Sequence, residues 1–136
     1  MADCYDSDAR FRDIAFDLKG RKHIQAMWHM ICQGDIRATF EVVEADQDQG
    51  QVNLIDEYTF RSDGAAGRRV HNVIKSRFRF RNGWIVEQRD YCDARRWADM
   101  AIGGVSGFLA GRLRFLRSGK AQEKLNNFMK SHPEYR

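Results

Sequence analysis

Three aspartates, Asp13, Asp56 and Asp90, fall where strand periodicity turns side chains towards a core. Carboxylates that share an apolar pocket repel each other, and at least one pKa rises. Such a pair supplies the acid and the base that proton transfer or water activation needs. Parity gathers Trp28, Tyr58, Asn72, Ser76, Phe78, Gln88 and Cys92 around them as candidate ligand-binding residues. In this reading Asp90 or Asp13 is the general base and a protonated neighbour is the acid. The alternative is that each aspartate satisfies a turn or a backbone amide at a strand end. Asp93 and Asp99 are expected as caps or surface groups, and Trp28 also fits a core position on an amphipathic helix. Cys92 shares the parity of Asp90, but nearby carboxylates raise a thiol pKa and blunt its nucleophilicity.

The elements that must position these groups follow from pattern. Arg77-Phe78-Arg79-Phe80-Arg81 alternates strictly, the signature of a strand with one buried face. Asn82-Gly83 supplies the positive-φ pair of a tight hairpin, and 84–92 returns. Strands are predicted over 36–46, 51–62 and 68–81, joined by the polar turns at 46–50 and 62–67. A short strand over Ala9–Phe16 is expected after an Asp6-Ser7-Asp8 turn. A helix from Gly20 to about Gln33 carries Ile24, Met27, Trp28 and Ile31 on one stripe. Asn53, Glu57, Thr59 and Arg61 face outward, where they can pair with the arginines of the neighbouring strand. One helix followed by an antiparallel meander predicts an α+β domain, a curved antiparallel sheet with helices on its concave face.

Composition bounds the function. The 136 residues fit one domain, with 43% hydrophobic and 12% aromatic content typical of a packed core. Cys4, Cys32 and Cys92 are odd in number and form no CxxC pair, which argues against disulfides and zinc knuckles and for a reducing, cytoplasmic setting. The four histidines are scattered, so no metal site is expected. The lack of a Gly-rich phosphate loop leaves no cofactor implied. The net charge of +4 is a C-terminal property, since residues 112–136 hold seven Lys/Arg against two Glu and the rest carries about −1. A nucleic-acid reader shows a basic face across its fold, so no nucleic-acid partner is expected. The apolar run from Met100 to Gly111 is too short to span a bilayer, which takes about 20 residues.

The order of these pieces resembles the cone-shaped nuclear transport factor 2-like superfamily, with its SnoaL-type cyclases, ketosteroid isomerases and limonene-epoxide hydrolases. The resemblance runs over residues 4–93. It rests on Cys4 to Asp13, on Leu18-Lys19-Gly20-Arg21 leading to Ile24, and on Phe78-Arg79-Phe80 before Asn82-Gly83-Trp84-Ile85-Val86-Glu87. It implies a small-molecule pocket for a small, mostly apolar, oxygenated substrate, and a homodimer. Asp13 falls where the isomerases keep their general base, and Ser76 where they keep an acidic oxyanion-hole residue. Arg89-Asp90-Tyr91 and Asp93 resemble the last-strand segment of the epoxide hydrolases, in which the first aspartate activates water. Asp56 could stand for their second aspartate, while Leu54 occupies the place of their arginine. A non-catalytic ligand-binding or protein-interaction domain that kept the fold is therefore the rival expectation.

Residues 1–100 are expected to form the cone and 101–136 a helical extension packed on the same domain or across a dimer. Gly103, Gly107 and Gly111 recur every four residues, a spacing that lets helices approach closely. Val105, Phe108, Leu109, Leu113 and Leu116 add an apolar surface, and a helix over 120–131 offers Leu125, Phe128 and Met129. The alternative for this stretch is a basic membrane-surface segment. Relatives close the cone with an N-terminal helix, and few residues precede Asp6. Residues 104–131 are expected to supply that cover for Phe11, Phe40, Phe78 and Phe80, the alternative being a start further upstream.

Overall fold

The structure, a computed structural model, describes residues 2–61, 66–104 and 114–135, without the side chains of 114–117. Six strands form one sheet in the order β2-β1-β6-β5-β4-β3: β1 Tyr5–Arg12, β2 Asp17–Lys19, β3 Arg37–Ala45, β4 Gln49–Phe60, β5 Arg68–Arg81 and β6 Trp84–Tyr91. All neighbours are antiparallel except β1 and β6, which run parallel. Helices α1 (Arg21–Cys32), α2 (Ala94–Ala101) and α3 (Arg114–Ser131) complete the described fold. This is the expected α+β architecture.

The β5–β6 hairpin turns where the sequence says it must. Asn82 and Gly83 hold φ of 52° and 78°, the left-handed pair that matches the twist of the flanking strands. Helix α1 buries Ile24, Ala26 and Met27. They join a core with Tyr5, Ala9, Phe11, Phe16, Leu18, Ile85 and Leu125.

Four expectations need correction. The first strand begins at Tyr5, not Ala9, and Asp6-Ser7-Asp8 lies inside it. The register with β6 shifts between Tyr5 and Arg10, and within this irregularity Asp6 Oδ1 accepts from the Asp8 backbone N–H at 3.0 Å. A polar bulge in a strand therefore reads as a turn in sequence. Helix α2 was not foreseen, although Asp93 caps it as expected, its Oδ1 accepting from the N–H groups of Arg95 and Arg96 at 3.0 Å each. Gly103 does not serve a helix–helix contact face: with φ of 73° it stops α2, and Gly104 follows at 59°. Arg68 donates to the C-terminal carbonyls of that helix, Met100 and Asp99. Gly107, Gly111, Val105, Phe108, Leu109, Leu113 and the Leu116 side chain lie outside the described residues, as does most of the 62–67 turn. Finally, the arginine stripe pairs with β6 and β1, not with β4. Arg79 meets Glu87 at 3.5 Å, Arg81 meets Asp6 at 3.9 Å, and Arg77 stacks over Tyr91. Its neighbours on β4 are Gln49 and Gln51, which carry no charge to offer.

Cover of the concave face is uneven. Phe11 is 1% exposed, and Phe78 and Phe80 are half-buried and stacked, but Phe40 is 71% exposed. Helix α3 rests on α1 through Leu125, Ala121, Phe128 and Met129 and leaves the β3 end of the sheet open.

Candidate functional site

The meander sets the acids by register. On β4, Val52, Leu54, Asp56, Tyr58 and Phe60 are the more buried set, and on β5 so are Val70, Asn72, Ile74 and Ser76. Asp56 faces Asn72 across the strands, and Ser76 faces Asp90. Sheet curvature then brings Asp56 and Asp90 close enough to feel each other's charge.

A directed chain of hydrogen bonds fixes Asp90. The indole N–H of Trp28 can only donate, and it reaches the Tyr5 hydroxyl oxygen at 3.1 Å. Tyr5 therefore donates its own proton onward, to Gln88 Oε1. That bond orients the amide, and Gln88 Nε2 donates to Asp90 Oδ1 at 2.9 Å. Tyr5 is fully buried and Gln88 is 2% exposed, so the chain is shielded from competing water. Oδ1 of Asp90 is held as an acceptor, which leaves Oδ2 as the atom that can gain or lose a proton. The Ser76 hydroxyl is buried beside Asp90 without a hydrogen bond of ordinary geometry among the described residues, yet close enough to favour the ionised carboxylate.

Electrostatics follow from this packing. Burial pushes the Asp90 carboxyl above the usual range, with Gln88 and Ser76 pulling the other way. Burial, with the Asp90 charge added, pushes Asp56 up to about 6. Among the described residues the Asp56 carboxylate has no hydrogen-bond or ion-pair partner. Burial also raises both tyrosines, so they stay protonated. Tyr58 accepts from Trp97 Nε1 at 2.7 Å, and its own proton is available for a ligand.

Asp13 takes the structural alternative. Its Oδ1 accepts from the N–H groups of Ala15 and Phe16 at 2.7 and 2.5 Å, closing the turn after β1. It still lies within electrostatic reach of Tyr58, as do Asp56 and Cys92. Cys92 sits one residue past β6 and is half-buried. Phe78 faces Gln88 across the strands. Two surface grooves, of about 600 and 450 Å³, are lined mainly by the outer side of the sheet and touch neither Asp56 nor Asp90. Burial and hydrogen bonding define the candidate site.

Tyr5 and Trp97 were missed. The signal for Tyr5 was its place two and three pairs before Ala9 and Phe11 on the buried side, hidden by the bulge. Trp97, half-buried, sits on a helix whose buried residues, Ala98 and Ala101, make too slight an apolar stripe to announce it.

A pH dependence of stability follows from Asp56. Its folded pKa of about 6 exceeds the ordinary 3.8, so the protonated form stabilises the fold. That contribution is complete below the unfolded value and is lost as pH rises through about 6. Two pKa units correspond to about 3 kcal/mol, which partial exposure of Asp56 to water cuts to about 1–2 kcal/mol. The wild-type melting temperature should therefore fall a few degrees further between about pH 5 and pH 7 than that of Asp56→Asn. Parallel pH profiles by calorimetry would contradict this assignment.

The comparisons agree with the fold. A phenazine biosynthesis-related protein of Pseudomonas aeruginosa superposes with a TM-score of 0.66 at 12% identity, over 76% of this chain and 74% of that one. A protein of ketosteroid isomerase-like fold from Catenulispora acidiphila, solved with trimethylamine, gives 0.60 at 15% identity, over 74% and 78%. An LEH-like epoxide hydrolase of Mycobacterium tuberculosis gives 0.54 at 17% identity, over 79% of each chain. At these identities the likeness is one of fold alone. No curated protein matches the sequence. The profile of the SnoaL-like domain matches residues 1–88, about two thirds of the molecule. The chain belongs to the SnoaL-like domain family.

Proposed function

We propose that this protein is an acid/base enzyme acting on a small, mostly apolar, oxygenated substrate bound against the concave face. The observation that carries the reading is the Trp28–Tyr5–Gln88–Asp90 relay opposite a half-buried Asp56. In this mechanism Asp90 Oδ2 withdraws a proton from the substrate or from a water molecule. Asp56, whose carboxyl is pushed up to about 6 and keeps a protonated fraction in mildly acid solution, returns one to the substrate oxygen, and the Tyr58 hydroxyl stabilises charge on that oxygen. Trp28, Asn72, Ser76, Phe78 and Cys92 line the pocket in this reading. Asp13 keeps its turn and contributes only its charge. Isomerase, cyclase and epoxide-hydrolase reactions all fit this proton inventory.

The test is a panel of small epoxides, cyclic enones and β-dicarbonyl compounds, assayed by mass spectrometry for turnover and by NMR for binding. Turnover of at least one class, lost in Asp56→Asn, supports the enzyme. Binding without turnover across the panel supports the second reading, a ligand-binding domain. That reading is favoured by the half-buried Leu54 two residues before Asp56, where epoxide hydrolases place an arginine.

We also propose a homodimer through the outer sheet face. Val43 is 49%, Val73 51% and Tyr91 48% exposed there, with Ile55 at 36%, more apolar surface than a solvated face carries singly. A stable pair should bury at least about 1,200 Å² in total. Light scattering should give twice the chain mass of 15.9 kDa, and the single-chain value at micromolar concentration would refute it. No helix of the described residues is long and apolar enough to cross a membrane. An odd number of cysteines with no CxxC pair supports a cytoplasmic location.

A further inference from the structure

Three donor groups distant in the chain meet where the end of α3 passes α1. His29 lies in the last turn of α1, His132 follows the last residue of α3, and Glu134 belongs to the short 3-10 turn Pro133–Tyr135. A ring nitrogen of each histidine and a carboxylate oxygen of Glu134 all lie within 4.8 Å of one another. Bonds of about 2.0–2.2 Å to a tetrahedral ion place its ligand atoms roughly 3.3–3.5 Å apart. His29 and Glu134 are exposed, so side-chain rotation can close that difference.

The imidazoles are held in the manner metal ligands require. His132 Nδ1 lies 2.9 Å from the Phe128 carbonyl oxygen, which can only accept. A proton on Nδ1 completes that bond and leaves Nε2 as the atom that can meet an ion. His29 Nδ1 lies 3.0 Å from the Tyr135 hydroxyl, an acceptor for its proton once Nε2 is coordinated. The His132 ring stacks on Phe128 with centroids 3.9 Å apart, and His29 meets both rings edge-on at 5.2 and 5.3 Å. These contacts restrict the imidazoles before an ion arrives, which lowers the cost of ordering them.

Two imidazoles and one carboxylate suit zinc and its transition-metal neighbours, while magnesium and calcium prefer oxygen alone. We propose that His29, His132 and Glu134 bind one divalent transition-metal ion, zinc by donor type, which fastens the C-terminal turn to α1. A fourth position is left for water. The sequence argued against a metal because its histidines look scattered, and only the fold brings these two together.

Titration of the full chain with Co²⁺, followed by Zn²⁺ competition, tests the site. One Co²⁺ per chain should bind with the intense visible absorption of four-coordinate geometry, and Zn²⁺ should displace it. Zn²⁺ should also raise the melting temperature, a chelator should reverse the rise, and Mg²⁺ should do neither. Glu134→Gln, on an exposed side chain, and His132→Ala should each weaken Co²⁺ at least tenfold. Tyr135→Phe keeps the ring and removes only the acceptor for His29, and should cost roughly 10–100-fold. His71→Ala, on a histidine paired with Glu57, should change nothing. Absence of saturable Co²⁺ binding, or equal affinity in folded Glu134→Gln, would overturn the proposal.

Discussion

Asp90→Asn should remove proton-transfer turnover by a factor of about 10²–10⁴ while the protein stays folded. Asparagine retains an oxygen that can accept from Gln88 Nε2, so the relay from Trp28 through Tyr5 keeps its end point. It also removes a carboxylate whose ionisation burial opposes, so the stability near neutral pH should hold or rise. A second readout separates a chemical role from a structural one. Part of the elevation of Asp56 to about 6 comes from the Asp90 charge, so carbon-detected NMR should find the Asp56 pKa lower in the variant. Wild-type turnover in a folded Asp90→Asn protein would eliminate Asp90 as the base. An unmoved Asp56 pKa would mean that the two carboxyls do not share a field, and the acid/base pairing would fall with it.

What was legible in the sequence was whatever local periodicity encodes. Alternation from Arg77 to Arg81 and the Asn82-Gly83 turn fixed a hairpin, but the turn alone would set Ser76 opposite Arg89, and a shift of register between Arg79 and Phe80 brings Asp90 there instead. Parity on β4 then placed Asp56 and Tyr58 on the inner side without any long-range information. Failures occur where a contact is non-local or a local rule is broken on purpose. Tyr5 completes the Asp90 relay through a parallel pairing of β1 with β6, across 83 residues, and a bulge disguises its strand as a turn. Trp97 reaches Tyr58 from a helix that looks hydrophilic because it buries mainly alanines. The arginines chose Glu87 over β4 because register offered them Gln49 and Gln51. A sequence states the face of a residue more readily than it states the partner.

Removal of residues 104–136 should destabilise the protein severely, because α3 belongs to the core and is not an appendage. Leu125 is fully buried in one cluster with Ile24, Met27, Tyr5 and Phe11, and Phe128 and Met129 pack against it. Leu125→Ala alone should cost about 2–5 kcal/mol, the range for truncating a buried leucine. Deletion exposes the apolar face of α1 as well, so insolubility or a much lower melting temperature is expected of the shortened chain. The effect is specific in direction. Phe40 sits at the open β3 end, 71% exposed, and Phe40→Ser should change stability by no more than about 0.5 kcal/mol in the monomer. A helix that covered the whole cone would make both substitutions costly, and a dispensable tail would make neither so. Among the described residues the structure places Leu125 against α1 and β1 and leaves Phe40 exposed, so the two should part company in a denaturant titration. Equal midpoints for Leu125→Ala and wild type would detach α3 from the domain, and with it the argument that the relay at Tyr5 is sealed from water on that side.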